Sequence, residues 1–228
     1  MFLRILYILL AIPATLIVLH TIIRIVRHFN KFPMPQWMAN LIDNPVRRKF
    51  QPPDKTAIRH KIEPGMRVLE IGPGNGTYTL ATAHRLGTKG ELVTIDIEPK
   101  MIERVQRRIE AEGVTNIDAR VADVYELPFE DASFDLVYMI TVINEIPDIP
   151  RALAEFHRVL KTAGKLVFSE ILLDPDYPRA ATLTRKVQAL EFRLKVKIGN
   201  FFYYTLIFEK AKKVWVSGIS RGKVQIWE

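Results

Sequence analysis

Apolar and polar positions in the middle of the chain follow the order expected of an α/β domain. From Glu63 onward, short runs rich in β-branched residues alternate with longer segments in which apolar residues recur near helical spacing. This alternation predicts a parallel sheet whose strands are joined by crossover helices. The predicted strands are Arg67–Ile71, Glu91–Asp96, Ile117–Ala122, Phe134–Ile140 and Lys165–Ile171, and the predicted helices between them are Thr77–Leu86, Lys100–Glu112 and Ile149–Leu160.

The C-terminal part of this pattern changes from crossovers to a hairpin. A helix is predicted at Ala180–Phe192, followed by β-rich runs at Leu194–Lys197 and Phe201–Glu209 that Gly199–Asn200 joins as a turn. The predicted fold class is therefore α/β: a doubly wound, Rossmann-like, seven-stranded and mostly parallel sheet with an antiparallel C-terminal hairpin strand. An N-terminal transmembrane or interfacial helix is predicted in addition.

The N-terminal apolar run is the basis of that helix. Residues Ile5–Ile23 include no Asp, Glu, Lys or Arg, and about 20 apolar residues suffice to cross a bilayer. A secretory signal peptide is the alternative, but the run is longer than usual and no A-x-A cleavage site follows. Because Arg24, Arg27 and Lys31 follow the run, the positive-inside rule places the rest of the chain on the cytoplasmic side of a single membrane anchor.

Four segments are predicted in total. Residues 1–26 form the anchor, 27–60 a basic amphipathic linker, 61–210 the main domain, and 211–228 a basic tail. The linker either lies among lipid headgroups or packs on the main domain. Aromatic and basic residues near the C-terminus fit a lipid-facing rim, a surface that stacks nucleobases, or simply the core of a strand.

Charge and composition narrow the function further. The net charge of +8 divides into +7 for residues 1–60, −7 for 61–178 and +8 for 179–228. Basic ends suit a polyanionic partner, and the predicted anchor favours anionic headgroups over nucleic acid. The absence of Cys excludes disulfides, thiolate metal sites and a cysteine nucleophile, and the scattered histidines give no zinc signature.

The segment VLEIGPGNGT, residues 68–77, is the most informative motif. It ends a predicted buried strand at Glu70 and places three glycines before a helix, at Gly72, Gly74 and Gly76. Glycine allows a tight turn and lets the backbone approach a ligand closely. The spacing departs from the G-x-G-x-x-G of dinucleotide-binding proteins, which weakens an NAD interpretation.

This motif and the segments downstream resemble the class I S-adenosylmethionine-dependent methyltransferases, in particular the branch with quinone-biosynthesis and phospholipid methyltransferases. The resemblance covers roughly residues 63–169 and includes RVLKTAGKLVFSE, where Thr162–Ala163 replaces the family's Pro-Gly. It implies S-adenosylmethionine as cofactor, with Asp96 on the ribose hydroxyls, Glu98 as a second candidate, and Asp123 on the adenine amino group. The implied cofactor-binding residues are Glu70, Gly72, Gly74, Asn75, Gly76, Asp96, Ile97, Asp123, Val124 and Thr141.

The chemistry of these residues agrees with the resemblance. A carboxylate can accept hydrogen bonds from two ribose hydroxyls, and carboxyl ends of parallel strands are where such folds bind ligands. Taken alone, Asp96 or Asp123 would more commonly be a helix cap or turn residue, and it is their occurrence together with the glycine loop that favours the ligand role. Acceptor-side candidates are Glu145, Asp176 and Tyr177, after strands four and five, and for each of them a cap or turn role is the alternative.

The predicted function is that of a membrane-anchored methyltransferase acting by in-line transfer on a lipophilic acceptor. The acceptor is a phospholipid amine or an isoprenoid quinone precursor, and proximity supplies much of the rate. Two alternatives remain: methylation of small hydrophobic thiols or phenols, and a non-catalytic S-adenosylmethionine-binding membrane module.

Overall fold

A central sheet and its flanking helices make up most of the computed structural model, which describes residues 2–29 and 44–211. The helices are α1 (Phe2–Phe29), α2 (Pro45–Phe50), α3 (Pro53–Arg59), α4 (Thr77–Leu86), α5 (Pro99–Glu112), α6 (Ile149–Val159) and α7 (Ala180–Gln188). The strands are β1 (Arg67–Ile71), β2 (Glu91–Asp96), β3 (Ile117–Val121), β4 (Phe134–Ile140), β5 (Leu160–Ile171), β6 (Phe192–Gly199) and β7 (Tyr203–Lys210).

The seven strands form one mixed sheet in the order β3-β2-β1-β4-β5-β7-β6. Strands β1 to β5 pair in parallel, whereas β7 pairs antiparallel with both β5 and β6. This confirms the predicted Rossmann-like α/β fold with its antiparallel C-terminal strands. The order reverses between β1 and β4, and doubly wound sheets bind their ligands at such a reversal.

Apolar side chains cover both faces of the sheet. On one face, Phe156 of α6 and Val187 of α7 belong to a core cluster with residues of β4, β5 and β7. On the other, Ala57 of α3 and Leu86 of α4 pack against β1, β2 and β4. Helices on both faces explain why the central strands are buried along nearly their whole length.

The C-terminal boundaries differ from the sequence prediction. Helix α7 ends at Gln188, before the predicted end at Phe192, and Phe192 instead begins β6, where it is buried and pairs with Lys210. Strand β5 begins at Leu160, five residues before the predicted start. Long-range pairing with Phe134 of β4 therefore determines this boundary, and local propensity does not.

The prediction of a single N-terminal membrane anchor is wrong. No helix within residues 2–29 and 44–211 has the length and apolar character required to cross a bilayer. Helix α1 instead reaches the main domain with its C-terminal turns, because Arg24 donates a hydrogen bond to the carbonyl of Tyr177 and Arg27 is buried against the domain. The predicted transmembrane segment is therefore not supported, and neither is the cytoplasmic orientation that was derived from it.

Only part of the predicted linker and tail can be compared with the structure. Residues 30–43 and 212–228 lie outside the described residues. Residues 44–60 form α2 and α3, in which Asn44 caps α2 and the side chain of Arg47 is buried. Where it is described, the linker therefore packs on the domain.

Candidate active site

A cavity of about 330 Å³ lies at the carboxyl ends of β1, β2 and β4. Its wall is mostly apolar and is completed by α2 and by the loops after β3 and β4. A mostly apolar wall that also carries several polar and charged side chains is typical of a small-molecule site. The cavity occupies the point where the strand order reverses.

The glycine loop after β1 forms one end of the cavity. Gly72 has φ +71°, and a Cβ built on it would lie 2.6 Å from Val142 Cγ2. Gly74 has φ +58°, but no atom lies within 4 Å of its ideal Cβ position. The first glycine is thus required by protein packing, whereas the second leaves open space facing the cavity that a ligand can approach closely.

Glu70 lies beneath this loop and supports it. Its side chain is buried, and Thr79 Oγ1 of α4 donates a hydrogen bond to its Oε2 at 2.7 Å. Burial raises the pKa of Glu70, while the hydrogen bond from Thr79 opposes this effect. Glu70 borders the cavity but its carboxyl group joins β1 to α4.

Asp96 and Asp123 face the cavity from neighbouring strand ends. Asp96 Oδ1 accepts a hydrogen bond from the backbone N–H of Glu98 at 2.9 Å, and burial raises the pKa of Asp96. Asp123 Oδ1 accepts one from the N–H of Tyr125 at 2.9 Å. Each carboxylate is therefore oriented by its own turn while retaining a second oxygen that can accept hydrogen bonds from a nucleoside.

The remaining predicted cofactor residues fall around the same space. Nine of the ten line the cavity, and Gly76 is the exception, since it caps α4 with φ +83°. Thr141 has φ +57°, which is a rare conformation for a β-branched residue, and such strain is concentrated at functional sites. The cavity-lining residues of the prediction are Glu70, Gly72, Gly74, Asn75, Asp96, Ile97, Asp123, Val124 and Thr141.

Arg47 of α2 was not predicted from the sequence, yet it lines the cavity. Its guanidinium donates to Thr141 Oγ1 at 3.0 Å and lies 5.6 Å from the centre of the Tyr78 ring. A buried arginine beside the glycine loop is suited to an anionic group such as a carboxylate. The Asn44-Pro45 start of α2 is a helix-start signal that could have identified this short helix, although not its target.

The three acceptor-side candidates separate in the structure. Glu145, in a 3-10 turn at Ile143–Glu145, lines the cavity. Asp176 and Tyr177 do not line it, but they lie in the loop after β5, close to α1. Arg27 joins the two loops, since its guanidinium pairs with Asp176 and its Nη2 lies 3.4 Å from Glu145 Oε1.

Two further carboxyl groups lie behind this pair and were not predicted. Glu170 and Asp174 are buried, and Glu170 Oε1 and Asp174 Oδ2 have no hydrogen-bond partner. Burial and the nearby Asp174 raise the pKa of Glu170 well above its ordinary value, and burial raises the pKa of Asp174 to about 6. Burial without a hydrogen-bond partner for Oε1 therefore disfavours the charged form of Glu170.

These residues fit S-adenosylmethionine. The cavity combines open space at Gly74, a cation at Arg47, two carboxylates at strand ends and apolar side chains at Ile97 and Val124. The cofactor has matching groups: an amino-acid carboxylate, ribose hydroxyls and an adenine ring. Within the described ranges, no group of three or more His, Asp or Glu is arranged to hold a metal ion.

Comparisons with known proteins agree with this geometry. A family model described as a methyltransferase domain matches residues 62–212. Over 148 residues the chain is 31% identical to the ubiquinone/menaquinone biosynthesis C-methyltransferase UbiE of Shewanella sp. (strain W3-18-1), covering 62% of this chain and 57% of that protein. The protein of the same name from Idiomarina loihiensis is 31% identical, with 60% and 53% covered. The chain thus spans little more than half the length of these relatives.

A solved structure shows the same fold. A SAM-dependent methyltransferase from Aquifex aeolicus superimposes with a TM-score of 0.73 at 18% identity, covering 78% of this chain and all of that one. Since the family model covers more than half of the residues, the chain belongs to the methyltransferase-domain family and is an S-adenosylmethionine-dependent methyltransferase.

Proposed function

We propose that this methyltransferase acts on a lipophilic aromatic acceptor of the isoprenoid quinone precursor class. The names of the relatives at 31% identity, which refer to ubiquinone and menaquinone biosynthesis, support this class of acceptor. A phospholipid amine is the second acceptor considered. Exposed apolar side chains near the cavity, and a carboxylate that lines it, also support the quinone-type acceptor.

The observation that carries the proposal is an apolar rim at the acceptor end of the sheet, made by Leu173, Phe201 and Phe202. These side chains are 65%, 59% and 65% exposed. They lie at the same edge of the sheet as the cavity. Leu173 follows the carboxyl end of β5, and Phe201 and Phe202 directly precede Tyr203, which pairs with Ile171 at that end of β5. Exposed apolar groups grouped beside a binding cleft are typical of sites that receive an apolar partner.

Continuation of this rim onto α1 supports the same conclusion. Arg24 bonds to the carbonyl of Tyr177, whose ring packs edge-on against Phe201. The neighbouring turns of α1 carry Ile22, Ile25 and Val26, all largely exposed. An acceptor with a long apolar chain has contact surface here outside the cavity.

Charge at the acceptor end is divided between two carboxylates and one cation. Glu145 and Asp176 both pair with Arg27, which leaves one net negative charge among the three side chains. Of the two carboxylates, Glu145 lines the cavity and Asp176 does not. A phenol-type ring would therefore face apolar walls and one carboxylate able to accept its proton.

When bound, S-adenosylmethionine supplies an electrophilic methyl group on a sulfonium that becomes a neutral thioether. Asp96 and Asp123 would hold its nucleoside, and Arg47 its carboxylate, so that the methyl group is directed toward the acceptor side. Binding in one orientation converts a bimolecular reaction into a local one, which accounts for much of the expected rate. Apolar walls exclude water that would compete for the methyl group.

Proton removal from the acceptor requires a base. A ring carbon that gains a methyl group loses its hydrogen as a proton, and its hydroxyl group must ionise to make the ring nucleophilic. Glu145 is the ionisable acceptor-side candidate that lines the cavity. We assign it the role of base, and Asp176 and Tyr177 the role of supporting Arg27 and the rim.

Incubation with methyl-labelled S-adenosylmethionine tests the proposal. The acceptors compared are a reduced isoprenoid quinone precursor lacking a ring methyl, an aminophospholipid, and a short-chain phenol or thiol, each analysed by mass spectrometry. Label on a ring carbon of the isoprenoid acceptor supports the proposal. Label in the phospholipid, or only in the soluble phenol or thiol, contradicts it in favour of the respective alternative.

The non-catalytic alternative has a distinct outcome in the same experiment. Cofactor binding measured by calorimetry, without label in any acceptor, would favour a binding module. The double variant Phe201→Ser/Phe202→Ser tests whether the apolar rim binds the acceptor. We expect it to raise KM for the isoprenoid acceptor while leaving cofactor affinity unchanged.

A further inference from the structure

Arg27 is the most buried of the α1 side chains that the structure describes. Its side chain is only 4% exposed, although it belongs to a helix whose neighbouring residues Ile25 and Val26 are largely exposed. A buried guanidinium is unfavourable unless it is paired and hydrogen-bonded. Arg27 meets this condition through two carboxylates from different loops, Glu145 after β4 and Asp176 after β5.

One of these two partners faces the reaction space. Glu145 lines the cavity, whereas Asp176 does not and is instead fixed from behind, since Asn144 donates a hydrogen bond to its carbonyl. Arg27 itself is absent from the cavity wall. Of the two ion-pair partners of Arg27, Glu145 is thus the one that can carry its influence directly to the cavity.

Several other ionisable groups surround this pair. Glu170 near the end of β5 and Asp174 in the loop after it lie close together, since Asp174 raises the pKa of Glu170, and Arg47 of α2 lowers the pKa of both. Arg27 also lowers the pKa of Asp174. Tyr177 carries the carbonyl that Arg24 of α1 contacts. Arg27 thus acts on Asp174 besides its two ion-pair partners, and its removal would leave these carboxylates with less positive charge nearby.

We propose that Arg27 is a positioning residue, which holds Glu145 in its ionised form at the acceptor end of the cavity and so makes docking of α1 a condition for proton removal. This inference rests on the proposed function, in which Glu145 is the base. It adds that the N-terminal helix supplies part of the active site. The two arginines of α1 then have different roles, because Arg24 bonds only a main-chain carbonyl in the described contacts.

Protonation of Glu145 can be measured without turnover. We would label glutamate Cδ with ¹³C and follow its chemical shift with pH in the wild type, in Arg27→Met and in Arg24→Met; Glu145→Gln identifies the Glu145 signal by its loss. A cation within about 4 Å of a carboxylate typically lowers the midpoint of its titration by about one to three pH units. We expect Arg27→Met to protonate Glu145 at a pH at least about one unit higher, and Arg24→Met to leave it in place.

Kinetics supply the second readout. For the isoprenoid acceptor, we expect Arg27→Met to lower kcat by about tenfold to a hundredfold, to move the acid limb of the pH profile upward, and to leave cofactor affinity unchanged. Arg27→Lys should restore part of kcat and of the wild-type acid limb. Retained cofactor binding shows that the variants fold.

The outcomes separate the two proposals. An unmoved Glu145 titration in Arg27→Met, or an equal shift in Arg24→Met, overturns the role of Arg27 whatever the acceptor is. Full activity of Glu145→Gln removes Glu145 as base, which refutes that part of the proposed function. Absence of label in the isoprenoid acceptor refutes the acceptor class, while the titration still decides on Arg27.

Discussion

Arg47 and Thr141 form a hydrogen bond across the cavity, with Arg47 Nη2 3.0 Å from Thr141 Oγ1. The bond connects α2, upstream of the sheet, to the strained residue that follows β4. It brings a buried cation to the side of the glycine loop where the carboxylate of the cofactor is expected. The N-terminal region thus takes part in the cofactor site as well as in the acceptor side.

Replacement of Arg47 by Met should weaken cofactor binding. Hydrogen bonds to charged groups contribute about 1.5–3 kcal/mol, which corresponds to roughly tenfold to a hundredfold in Kd. Calorimetric titration of S-adenosylmethionine would measure the change. Arg48→Met is the matched control, because Arg48 is exposed, does not line the cavity and lies 3.4 Å from Thr77 Oγ1. Equal losses for both variants would argue against a specific role for Arg47.

Asp96→Asn should also reduce affinity for the cofactor, again by about tenfold to a hundredfold, since an amide is a weaker acceptor than a carboxylate and one end of it cannot accept at all. The fold should be preserved, because the amide oxygen can still accept the N–H of Glu98. Glu98→Gln, one turn residue away, is the control. If Glu98→Gln has the larger effect, then Glu98 is the ribose ligand.

The glycine loop offers a way to separate folding from binding. Gly74→Ala should destabilise the protein by only about 1–2 kcal/mol, the cost of a left-handed alanine, because its Cβ would meet no atom within 4 Å. Gly72→Ala should be more destabilising, since its Cβ would clash with Val142. Both should lose cofactor affinity. Thermal unfolding and calorimetry distinguish the two effects, and normal binding by Gly74→Ala would show that the cofactor does not approach there.

His60 should make the protein less stable as the pH falls. Its ring is buried and bonded to Ser169, and burial lowers its pKa from 6.5 to about 3. Below pH 6.5 the unfolded chain binds a proton at this residue that the folded chain excludes, so stability decreases toward acid by up to about 1.4 kcal/mol per pH unit. The raised pKa values of Glu170 and Asp174 act in the opposite direction.

A comparison of variants isolates this contribution. Between about pH 7.5 and pH 5, His60→Gln should lose about 2 kcal/mol less stability than the wild type in urea unfolding. The exposed His84, replaced by Gln, serves as control and should follow the wild type. Identical slopes for the wild type and His60→Gln would mean that His60 does not titrate differently in the two states.

The cofactor half of the fold was predictable because its signals are local. Strands β1, β2 and β4 and helix α4 have the predicted bounds, since each combines a strong periodicity with glycine or charged boundaries. Asp96 and Asp123 follow their strands directly, so identifying the strands also located the carboxylates. Gly76 is the one predicted cofactor residue that does not line the cavity, because it caps α4.

The acceptor half was not predictable to the same degree. Arg27 meets Asp176 across 149 residues of sequence, and Arg47 meets Thr141 across 94. The spacing of apolar residues along the sequence does not predict contacts between residues so far apart. These contacts depend on how the helices pack on the sheet. The N-terminal apolar run led to the incorrect prediction of a membrane anchor. Hydropathy alone does not reveal that Arg24 bonds to Tyr177 and that Arg27 pairs with Asp176.

The reversal of strand order between β1 and β4 has a consequence for divergence within the family. Most of the residues predicted to hold the cofactor come from one stretch, from β1 to the turn after β3, and Arg47 of α2 and Thr141 after β4 join them at the cavity. The other side gathers α1, two loops and the β6–β7 turn from distant parts of the gene. We expect substitutions on that side to alter which molecule is methylated without disturbing the donor pocket, so that acceptor preference can change under one chemistry.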